Sequence, residues 1–252
     1  MNINNFFNID ERLMQLDEKI LAEISPRFKE TDDITEYNQL KMLSAFIKNG
    51  VTESAFAGST GYGYDDRGRE ILERVMADAM GAEDSLIRHN FVSGTHTLTV
   101  ALFGLLRPGD KVLVLTGRPY DTITGVFGID EKTDGSLADF GVEYHEIALL
   151  PDGTPDKAAI KKELAANAYK MAYIQRSRGY STRPSLTIEK IRELCNIVRE
   201  TSPKSIIMVD NCYGEFTEKQ EPCEVGADII AGSLIKNPGG GIAPTGGYIA
   251  GR

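Results

Sequence analysis

The strongest constraint on the fold is an alternation of short β-rich runs with helical patterns between residues 85 and 250. Runs rich in Val, Ile, Leu and Met predict seven strands, at Ser85–Asn90, Lys111–Thr116, Val142–Ile147, Met171–Gln175, Ile206–Asp210, Asp228–Ala231 and Gly246–Ala250. Helical spacing separates several of them, most clearly at Thr95–Leu106, Asp156–Ala166 and Thr187–Glu200. This alternation predicts an α/β fold: a mostly parallel seven-stranded sheet with helices on both faces.

The first fifty residues have a different, purely helical pattern. Apolar residues recur at helical spacing over residues 9–28, with Pro26 near the end of that stretch. Asp33 and Glu36 then match a capping box in front of a second amphipathic run. The sequence therefore predicts a helical N-terminal arm of two helices, followed by a large domain, with the bounds 1–50 and 51–252.

Composition excludes several classes of protein. The chain has 252 residues, with 28 Lys and Arg against 37 Asp and Glu, and a formal net charge of −9. This acidic balance argues against binding to nucleic acid or to an anionic membrane surface. The longest apolar stretches, such as Thr99–Leu106, are far shorter than the ~20 residues of a membrane-spanning helix. The first residues do not match a secretory leader and the three cysteines form no C-x-x-C pair, so we expect a reduced, cytoplasmic protein.

Polar residues that suit one kind of cofactor follow three of the predicted strands, at the edge where open parallel sheets bind ligands. Asp210 ends the fifth strand, and Gly94 and Thr95 lie in a small-residue turn at a helix start after the first. Ser233 and Lys236 follow the sixth strand. Each feature alone has an ordinary structural explanation. An acid after a strand is often a turn residue, a small-residue turn before a helix often only connects two elements, and a lone lysine is usually solvated. Together, these residues match the needs of pyridoxal phosphate (PLP). The turn would bind the phosphate, the acid would bind the ring nitrogen, and the lysine, 26 residues after the acid, would hold the aldehyde as a Schiff base.

Other motifs of nucleotide, hydrolase and metal sites do not occur in the sequence. No G-x-x-x-x-G-K-[ST] is present, so Asp210 is not the acidic partner of a P-loop. After Gly61 and Gly63 the next glycine is Gly68, which breaks the G-x-G-x-x-G spacing. The absence of G-x-S-x-G argues against an α/β-hydrolase. The three histidines are scattered and match no zinc-ligand spacing, so the sequence predicts no metal site.

Five ordered motifs give the chain a resemblance to a known family. They are residues 59–69 (STGYGYDDRGR), 92–96 (VSGTH), 119–122 (PYDT), 209–215 (VDNCYGE) and 233–240 (SLIKNPGG). With these motifs the sequence resembles the aluminium-resistance or methionine-gamma-lyase-like family. This family is related to the cystathionine lyases within the aspartate-aminotransferase fold. The resemblance runs over nearly the whole chain and implies PLP as the cofactor.

The resemblance also implies roles for the site residues. Lys236 would be the Schiff-base lysine and Asp210 the partner of the pyridine nitrogen. Tyr120 would stack on the cofactor ring and is a candidate acid for the departing sulfur, although packing on the core is an ordinary alternative for this aromatic. The cofactor phosphate would be held by the backbone of Gly94 and Thr95, by the hydroxyl of Ser233 and, from a neighbouring subunit, by Tyr64 and Arg69. The active site would then be shared between the subunits of a homodimer or homotetramer.

Three departures from the cystathionine-lyase pattern leave some roles open. Those enzymes place the phosphate arginine two residues after the tyrosine, whereas Arg67 and Arg69 follow Tyr64 here, and we favour Arg69. Their Ser-x-Thr-Lys becomes SLIK at residues 233–236, with one hydroxyl fewer. Their Glu-Ser-Pro-x-Asn segment is replaced by QRSRGY at residues 175–180, so the contact to the phenolic oxygen of the cofactor is unassigned.

The activity that the resemblance implies is carbon–sulfur lyase chemistry on a small sulfur amino acid, by β- or γ-elimination. The same Lys236 and Asp210 would serve an aminotransferase or an aldolase, which stay open as alternatives. Family members carry a further C-terminal domain that usually supplies the arginine for the substrate carboxylate, and we expect these 252 residues to correspond to the N-terminal arm and the large, PLP-binding domain. A cofactor-binding fragment with poor turnover is therefore another alternative.

Overall fold

The computed structural model describes residues 6–62, 66–130 and 133–252. Its helices are α1 (Glu11–Lys48), α2 (Arg67–Met80), α3 (Gly94–Leu105), α4 (Asp121–Phe127), α5 (Lys157–Ala166) and α6 (Ile188–Thr201). Its strands are β1 (Asp84–Arg88), β2 (Lys111–Val114), β3 (Glu143–Glu146), β4 (Met171–Gln175), β5 (Ile206–Asp210), β6 (Ile229–Ser233) and β7 (Gly247–Gly251). Each strand begins and ends within two residues of its expected bounds.

The strands form one seven-stranded sheet in the order β1-β7-β6-β5-β4-β2-β3. The pairs β2–β3, β2–β4, β4–β5 and β5–β6 are parallel, whereas β7 runs antiparallel to both β6 and β1. The predicted α/β fold with a mostly parallel sheet is confirmed. Because β5 and β6 are parallel neighbours, the polar residues at their carboxyl ends lie at the same edge of the sheet.

Successive residues of each strand alternate between two helix-covered faces. Val209 and Ile230 pack in a core with residues of α5 and α6, which we call the α5–α6 face. Met208 and Ala231, their neighbours in sequence, pack in a core with residues of α3 and α4, the α3–α4 face. This alternation determines which polar side chains at the edge of the sheet lie on the α3–α4 face and which lie on the α5–α6 face.

The N-terminal residues form one helix, so the prediction of two helices divided between Pro26 and Asp33 is wrong. Asp10 caps the start, and α1 runs through both residues to Lys48. Proline at an exposed helical position removes one backbone donor, which weakens the helix without ending it here. Thr31 and Thr35 donate their hydroxyls to the carbonyls four residues earlier, so the polar stretch is accommodated inside the helix.

The C-terminal half of α1 attaches the helix to the rest of the chain. Ala45 packs with Ile71 of α2. The buried Asn38 donates its side-chain amide to the carbonyls of Phe216 and Glu218. A domain boundary at residue 50 stays a prediction. No helix in the described ranges is both long and apolar enough to span a membrane.

Candidate active site

The carboxyl ends of β5 and β6 direct two polar side chains toward the α3–α4 face. Asp210 lies two residues after Met208, and Ser233 two residues after Ala231. The period of a strand therefore places both on the face that those apolar residues share. Both are 0% exposed, so two polar groups lie in the interior next to α3.

A cavity of about 370 Å³ opens beside these strand ends. Lys236 and Tyr120 of the predicted site are among its lining residues. The others come from the segments that follow β4 and β5: Ser177, Arg178, Gly179, Tyr180, Ser185, Cys212 and Tyr213. This lining carries two cations and several hydroxyls but no carboxylate, which favours an anionic ligand.

The start of α3 supplies the donors for an anion. Ser93 caps the helix by accepting a backbone N–H of the first turn. The amide N–H groups of Gly94 and Thr95 have no hydrogen-bond partner among the residues that the structure describes. A Cβ on Gly94 would lie 3.2 Å from Ser233 Cβ and 3.3 Å from Cys212 Sγ, so glycine permits this close approach. Free N–H groups at the positive end of a helix, next to a hydroxyl, favour phosphate.

Asp210 has one oxygen that is bound and one that is not. Oδ1 accepts a hydrogen bond from Cys212 N at 3.1 Å. Oδ2 is buried and makes no hydrogen bond of good geometry within the described ranges. The Tyr173 hydroxyl, which is also buried without a partner in those ranges, lies near the carboxylate. Burial raises the pKa of Asp210, while the Cys212 N–H and the positive charge of Lys236 oppose that rise. A buried carboxylate oxygen of this kind calls for a proton donor on a ligand.

Tyr120 is the N-cap residue of α4, a helix that the sequence did not predict. Its backbone N–H donates to Gln175 Oε1 at 2.9 Å, which ties the start of α4 to the end of β4. Burial raises the pKa of Tyr120 to about 12, and the negative charge of Asp210 contributes. The phenol is therefore protonated at neutral pH.

The amine of Lys236 lies against an aromatic ring. Its Nζ is 3.9 Å from the centroid of the Tyr213 ring. Tyr213, at φ 67°, and Phe216, at φ 61°, are the non-glycine residues with positive φ in the described part of the chain. Asn237, next to Lys236, donates its side-chain amide to Tyr213 O at 3.2 Å and to Glu215 O at 2.9 Å. The two loops that carry the amine and the ring are thus bound to each other.

A buried polar network lies behind the cavity, on the α5–α6 face. Its members are at most 2% exposed: Arg176, Asn211, Glu215, Glu221 and Tyr248. Arg176 Nη1 donates to Asn211 Oδ1 at 2.8 Å, and Asn211 Nδ2 donates to Glu221 Oε2 at 3.1 Å. The Tyr248 hydroxyl donates to Glu215 Oε1 at 3.0 Å, and burial raises the pKa of Glu215 to about 8. This network holds the strand ends in place.

The structure brings six predicted site residues to the carboxyl edge of the sheet: Lys236, Asp210, Tyr120, Gly94, Thr95 and Ser233. It does not bring Arg69 there. Arg69 lies in the first turn of α2 and pairs with Asp66 of its own chain. Tyr64 lies outside the described residues, and its contact with a neighbouring subunit stays a prediction.

Sequence reasoning did not select several residues that build the cavity. Cys212 and Tyr213 lie two and three residues after Asp210, inside a motif that carries the resemblance, and this position is the available signal. Arg183 is 8% exposed and donates to Gln175 O at 2.9 Å, so it supports the loop that lines the cavity after β4. A single arginine in a loop gives no comparable signal in the sequence.

The fold and the site define an α/β protein with a cavity and a lysine at the carboxyl edge of its sheet, and the charge of the cavity lining favours an anion. Residues 13–252 match the model of a family described as methionine gamma-lyase. The chain therefore belongs to the methionine gamma-lyase family. The resemblance inferred from the five motifs is confirmed.

Similar proteins extend over nearly all of this chain. The uncharacterized protein YnbB of Bacillus subtilis is 46% identical over 235 residues, which are 93% of this chain and 56% of YnbB. A proposed cystathionine beta-lyase involved in aluminium resistance from Listeria innocua is 53% identical, with a TM-score of 0.93 over 97% of this chain and 59% of that one. A carbon-sulfur lyase involved in aluminium resistance from Clostridium novyi is 47% identical, with a TM-score of 0.92 over 99% of this chain and 59% of that one. The chain thus spans somewhat more than half the length of these relatives.

Proposed function

We propose that this chain forms the cofactor-binding part of a PLP-dependent carbon–sulfur lyase that acts on a sulfur amino acid by β- or γ-elimination. The resemblance carried by the five motifs implies PLP as the cofactor, and residues 13–252 match the methionine gamma-lyase family. The name of the Clostridium novyi relative supports carbon–sulfur cleavage. We also propose a cytoplasmic homodimer or homotetramer, in which Tyr64 and Arg69 reach the phosphate site of a neighbouring subunit.

The observation that carries the proposal is a pair of buried oxygens in the same site as Lys236. Asp210 Oδ2 and Ser233 Oγ have no partner among the residues described, although burial makes an unpartnered polar atom costly. PLP offers a partner to each, a protonated ring nitrogen to the carboxylate and a phosphate to the hydroxyl. The free N–H groups of Gly94 and Thr95 would bind the same phosphate. The residues present therefore fit the cofactor.

In this proposal each side chain has a defined task. When bound, PLP supplies an electron-withdrawing ring next to the substrate α-carbon. Asp210 keeps a proton on the ring nitrogen, and Lys236 anchors the cofactor and, as a free amine, removes the proton from the α-carbon. Tyr120 packs against the ring and is protonated at neutral pH, so it holds a proton within the site for the departing sulfur.

The attachment is tested by borohydride reduction of the chain after incubation with PLP. We expect mass spectrometry to find the reduced cofactor on the peptide that contains Lys236. Lys236→Ala should abolish this adduct, whereas Lys204→Ala, at an exposed lysine distant in sequence, should keep it. A stoichiometric adduct in the Lys236→Ala protein would refute the assignment.

The reaction is tested with methionine, cysteine and cystathionine as substrates. A lyase releases pyruvate or 2-oxobutyrate together with ammonia and needs no second substrate. A requirement for an added keto acid would instead indicate an aminotransferase, and release of an aldehyde with glycine from a β-hydroxy amino acid such as threonine, assayed in parallel, would indicate an aldolase. Because the chain spans 56% of YnbB and 59% of the two relatives of known structure, the same assay run on the chain alone also tests whether it binds the cofactor without turnover.

A further inference from the structure

Tyr213 adopts an unfavourable backbone conformation that burial of its side chain does not compensate. Its φ of 67° lies in the left-handed region, which L residues other than Asn and Asp rarely enter. The side chain is 61% exposed, so packing in the core does not compensate for the unfavourable backbone. Strained residues of this kind cluster at functional sites, where the neighbouring structure enforces them.

Hydrogen bonds from both sides hold the turn in this conformation. Gly214 N donates to Asn211 O at 2.8 Å, which closes the turn around Tyr213. The side-chain amide of Asn237 binds Tyr213 O and Glu215 O. Because Asn237 is the neighbour of Lys236 in sequence, the turn is fixed relative to the backbone that carries the amine.

The result of the strain is the position of the ring. Lys236 Nζ lies 3.9 Å from the ring centroid, well inside the ~6 Å limit of a cation–π contact. Both residues line the cavity, so the contact lies in the proposed active site and not on a remote surface. A lysine side chain is flexible, and the contact with the ring restricts where its amine can lie.

We propose that Tyr213 is a positioning residue, whose strained turn presents the ring face to the amine of Lys236 and holds that amine at the cavity wall. The inference rests on the proposed role of Lys236. When Lys236 takes a proton from the substrate α-carbon, the C–H bond breaks, an N–H bond forms, and the electron pair stays on the substrate. The amine is then a cation, and the ring face attracts the cation more strongly than the neutral amine. Tyr213 itself forms and breaks no bond.

The contact is tested without any activity measurement, by reductive methylation of the cofactor-free chain with ¹³C-formaldehyde. The dimethylated lysines keep their charge, and the signal of Lys236 is assigned by its loss in Lys236→Arg. We expect this signal to be shifted upfield by the ring current of Tyr213. The shift should persist in Tyr213→Phe and disappear in Tyr213→Leu. Tyr180→Leu, which removes another exposed ring of the same cavity, should keep it.

The strain is tested by two substitutions that suit a positive φ. Tyr213→Gly and Tyr213→Asn should both have a higher melting temperature than Tyr213→Leu, because Gly and Asn tolerate the left-handed region. Both should lose the upfield shift. Better stability combined with a lost contact is the outcome that a purely structural tyrosine would not give. A fall in melting temperature below that of Tyr213→Leu in both variants would overturn the strain argument.

The link to the cofactor is tested by the rate of PLP attachment to Lys236. The ring face favours the ammonium form of Lys236, whereas only the neutral amine adds to the PLP aldehyde, so loss of a contact of this strength in Tyr213→Leu should speed attachment roughly two- to five-fold, with Tyr213→Phe at the parent rate. An equal rise in the rate of Tyr213→Phe would assign the effect to the hydroxyl and refute the ring-face contact. If Tyr213→Leu is unchanged while Lys236→Ala loses the adduct, this inference fails and the proposed function stands. Persistence of the adduct in Lys236→Ala would instead refute the proposed function.

Discussion

Two neighbouring residues at the end of β5 lie in opposite kinds of polar environment. Asp210 belongs to the α3–α4 face, where its Oδ2 has no partner among the described residues. Asn211 points to the other face, where its side chain accepts from Arg176 and donates to Glu221 and Tyr248. Both residues are 0% exposed, so burial alone does not distinguish them. The difference lies in whether the protein itself supplies the partners.

For these two neighbours, the difference separates a group that stabilises the fold from one that awaits a ligand. An unpartnered atom does not by itself mark a ligand site, because Glu215 Oε2 in the buried network also has no partner among the described residues. A buried polar group with its partners contributes to stability, whereas one without them costs free energy that only a ligand recovers. Substitutions in the buried network should therefore lower stability, and substitutions at Asp210 and Ser233 should leave stability unchanged or raise it. The same two substitutions should weaken cofactor binding.

Arg176→Met should have the largest effect on stability. Arg176 is 2% exposed, and it pairs with Glu218 and with Glu221, which is 0% exposed. Loss of the arginine leaves a buried carboxylate without its cation, so we expect urea denaturation to show a loss of about 3–5 kcal/mol. Arg192→Met removes an exposed partner of Glu189 and should cost about 0.5 kcal/mol or less. Equal losses in the two variants would contradict a structural role for the network.

Exchange of the amide and the carboxylate tests the two faces directly. Asp210→Asn keeps the shape and removes the buried carboxylate, so we expect stability to rise by about 1 kcal/mol in the absence of cofactor. Asn211→Asp places a carboxylate next to Glu221 and should cost about 3 kcal/mol. Added PLP should raise the melting temperature of the parent chain much more than that of Asp210→Asn, because a ligand stabilises in proportion to its affinity.

If the comparison is wrong, the exchange shows it without ambiguity. A large loss of stability in cofactor-free Asp210→Asn would mean that Asp210 is a structural residue like Asn211. An unchanged response of Asp210→Asn to PLP would remove Asp210 from the cofactor site. Either result is obtained by thermal unfolding with and without PLP.

Glu215 gives the buried network a pH dependence. Its pKa in the folded chain is raised by burial to about 8, from an ordinary value of about 4.5. Between these values the unfolded chain releases the proton while the folded chain keeps it, so the contribution of Glu215 to stability is fully present below pH 4.5 and is lost as the pH rises through 8. For one proton the slope reaches about 1.4 kcal/mol per pH unit.

Glu215→Gln should therefore flatten the fall in stability between pH 5 and pH 8, measured by urea denaturation at several pH values. Glu143→Gln serves as the control, because Lys111 lowers the pKa of Glu143 below its ordinary value and its titration lies outside this range. An unchanged slope in Glu215→Gln would show that Glu215 is ionised in the folded chain.

The sequence predicts those features of the fold and the site that depend on residues close to each other in the chain. The period of apolar residues predicts the strands, and Asp210 and Lys236 stand out because each follows a strand that ends at the ligand-binding edge. Position in a strand also determines that neighbours such as Asp210 and Asn211 face opposite sides. These properties depend on residues close in sequence.

The remainder depends on contacts between distant residues. The start of α4 is fixed by the bond from Tyr120 N to Gln175, across 55 residues, which no local pattern contains. Pro26 lies inside α1, where back-bonding threonines and exposure make the proline tolerable. The ring of Tyr213 meets Lys236 through a turn of unusual φ, and that conformation is enforced by Asn237. Tertiary contacts of this kind are the reason why the cavity walls were not predicted.

Ser233→Ala is expected to have the smallest effect on stability and is matched by a second buried serine. Ser233 Oγ has no partner among the described residues, whereas the Ser205 hydroxyl donates to Tyr169 O at 2.7 Å. Ser233→Ala should therefore change the stability of the cofactor-free chain by less than about 0.5 kcal/mol or raise it, and Ser205→Ala should lower it by about 1 kcal/mol.

The affinity for PLP should depend on the other serine: Ser233→Ala should weaken it and Ser205→Ala should not. Ser233→Ala loses a hydrogen bond to a charged group, so its affinity for PLP, measured by fluorescence titration, should fall roughly ten-fold, whereas Ser205→Ala should bind as the parent does. If Ser233→Ala instead loses stability like Ser205→Ala and binds PLP normally, its hydroxyl is part of the fold. The distinction between partnered and unpartnered buried groups would then not mark the cofactor site.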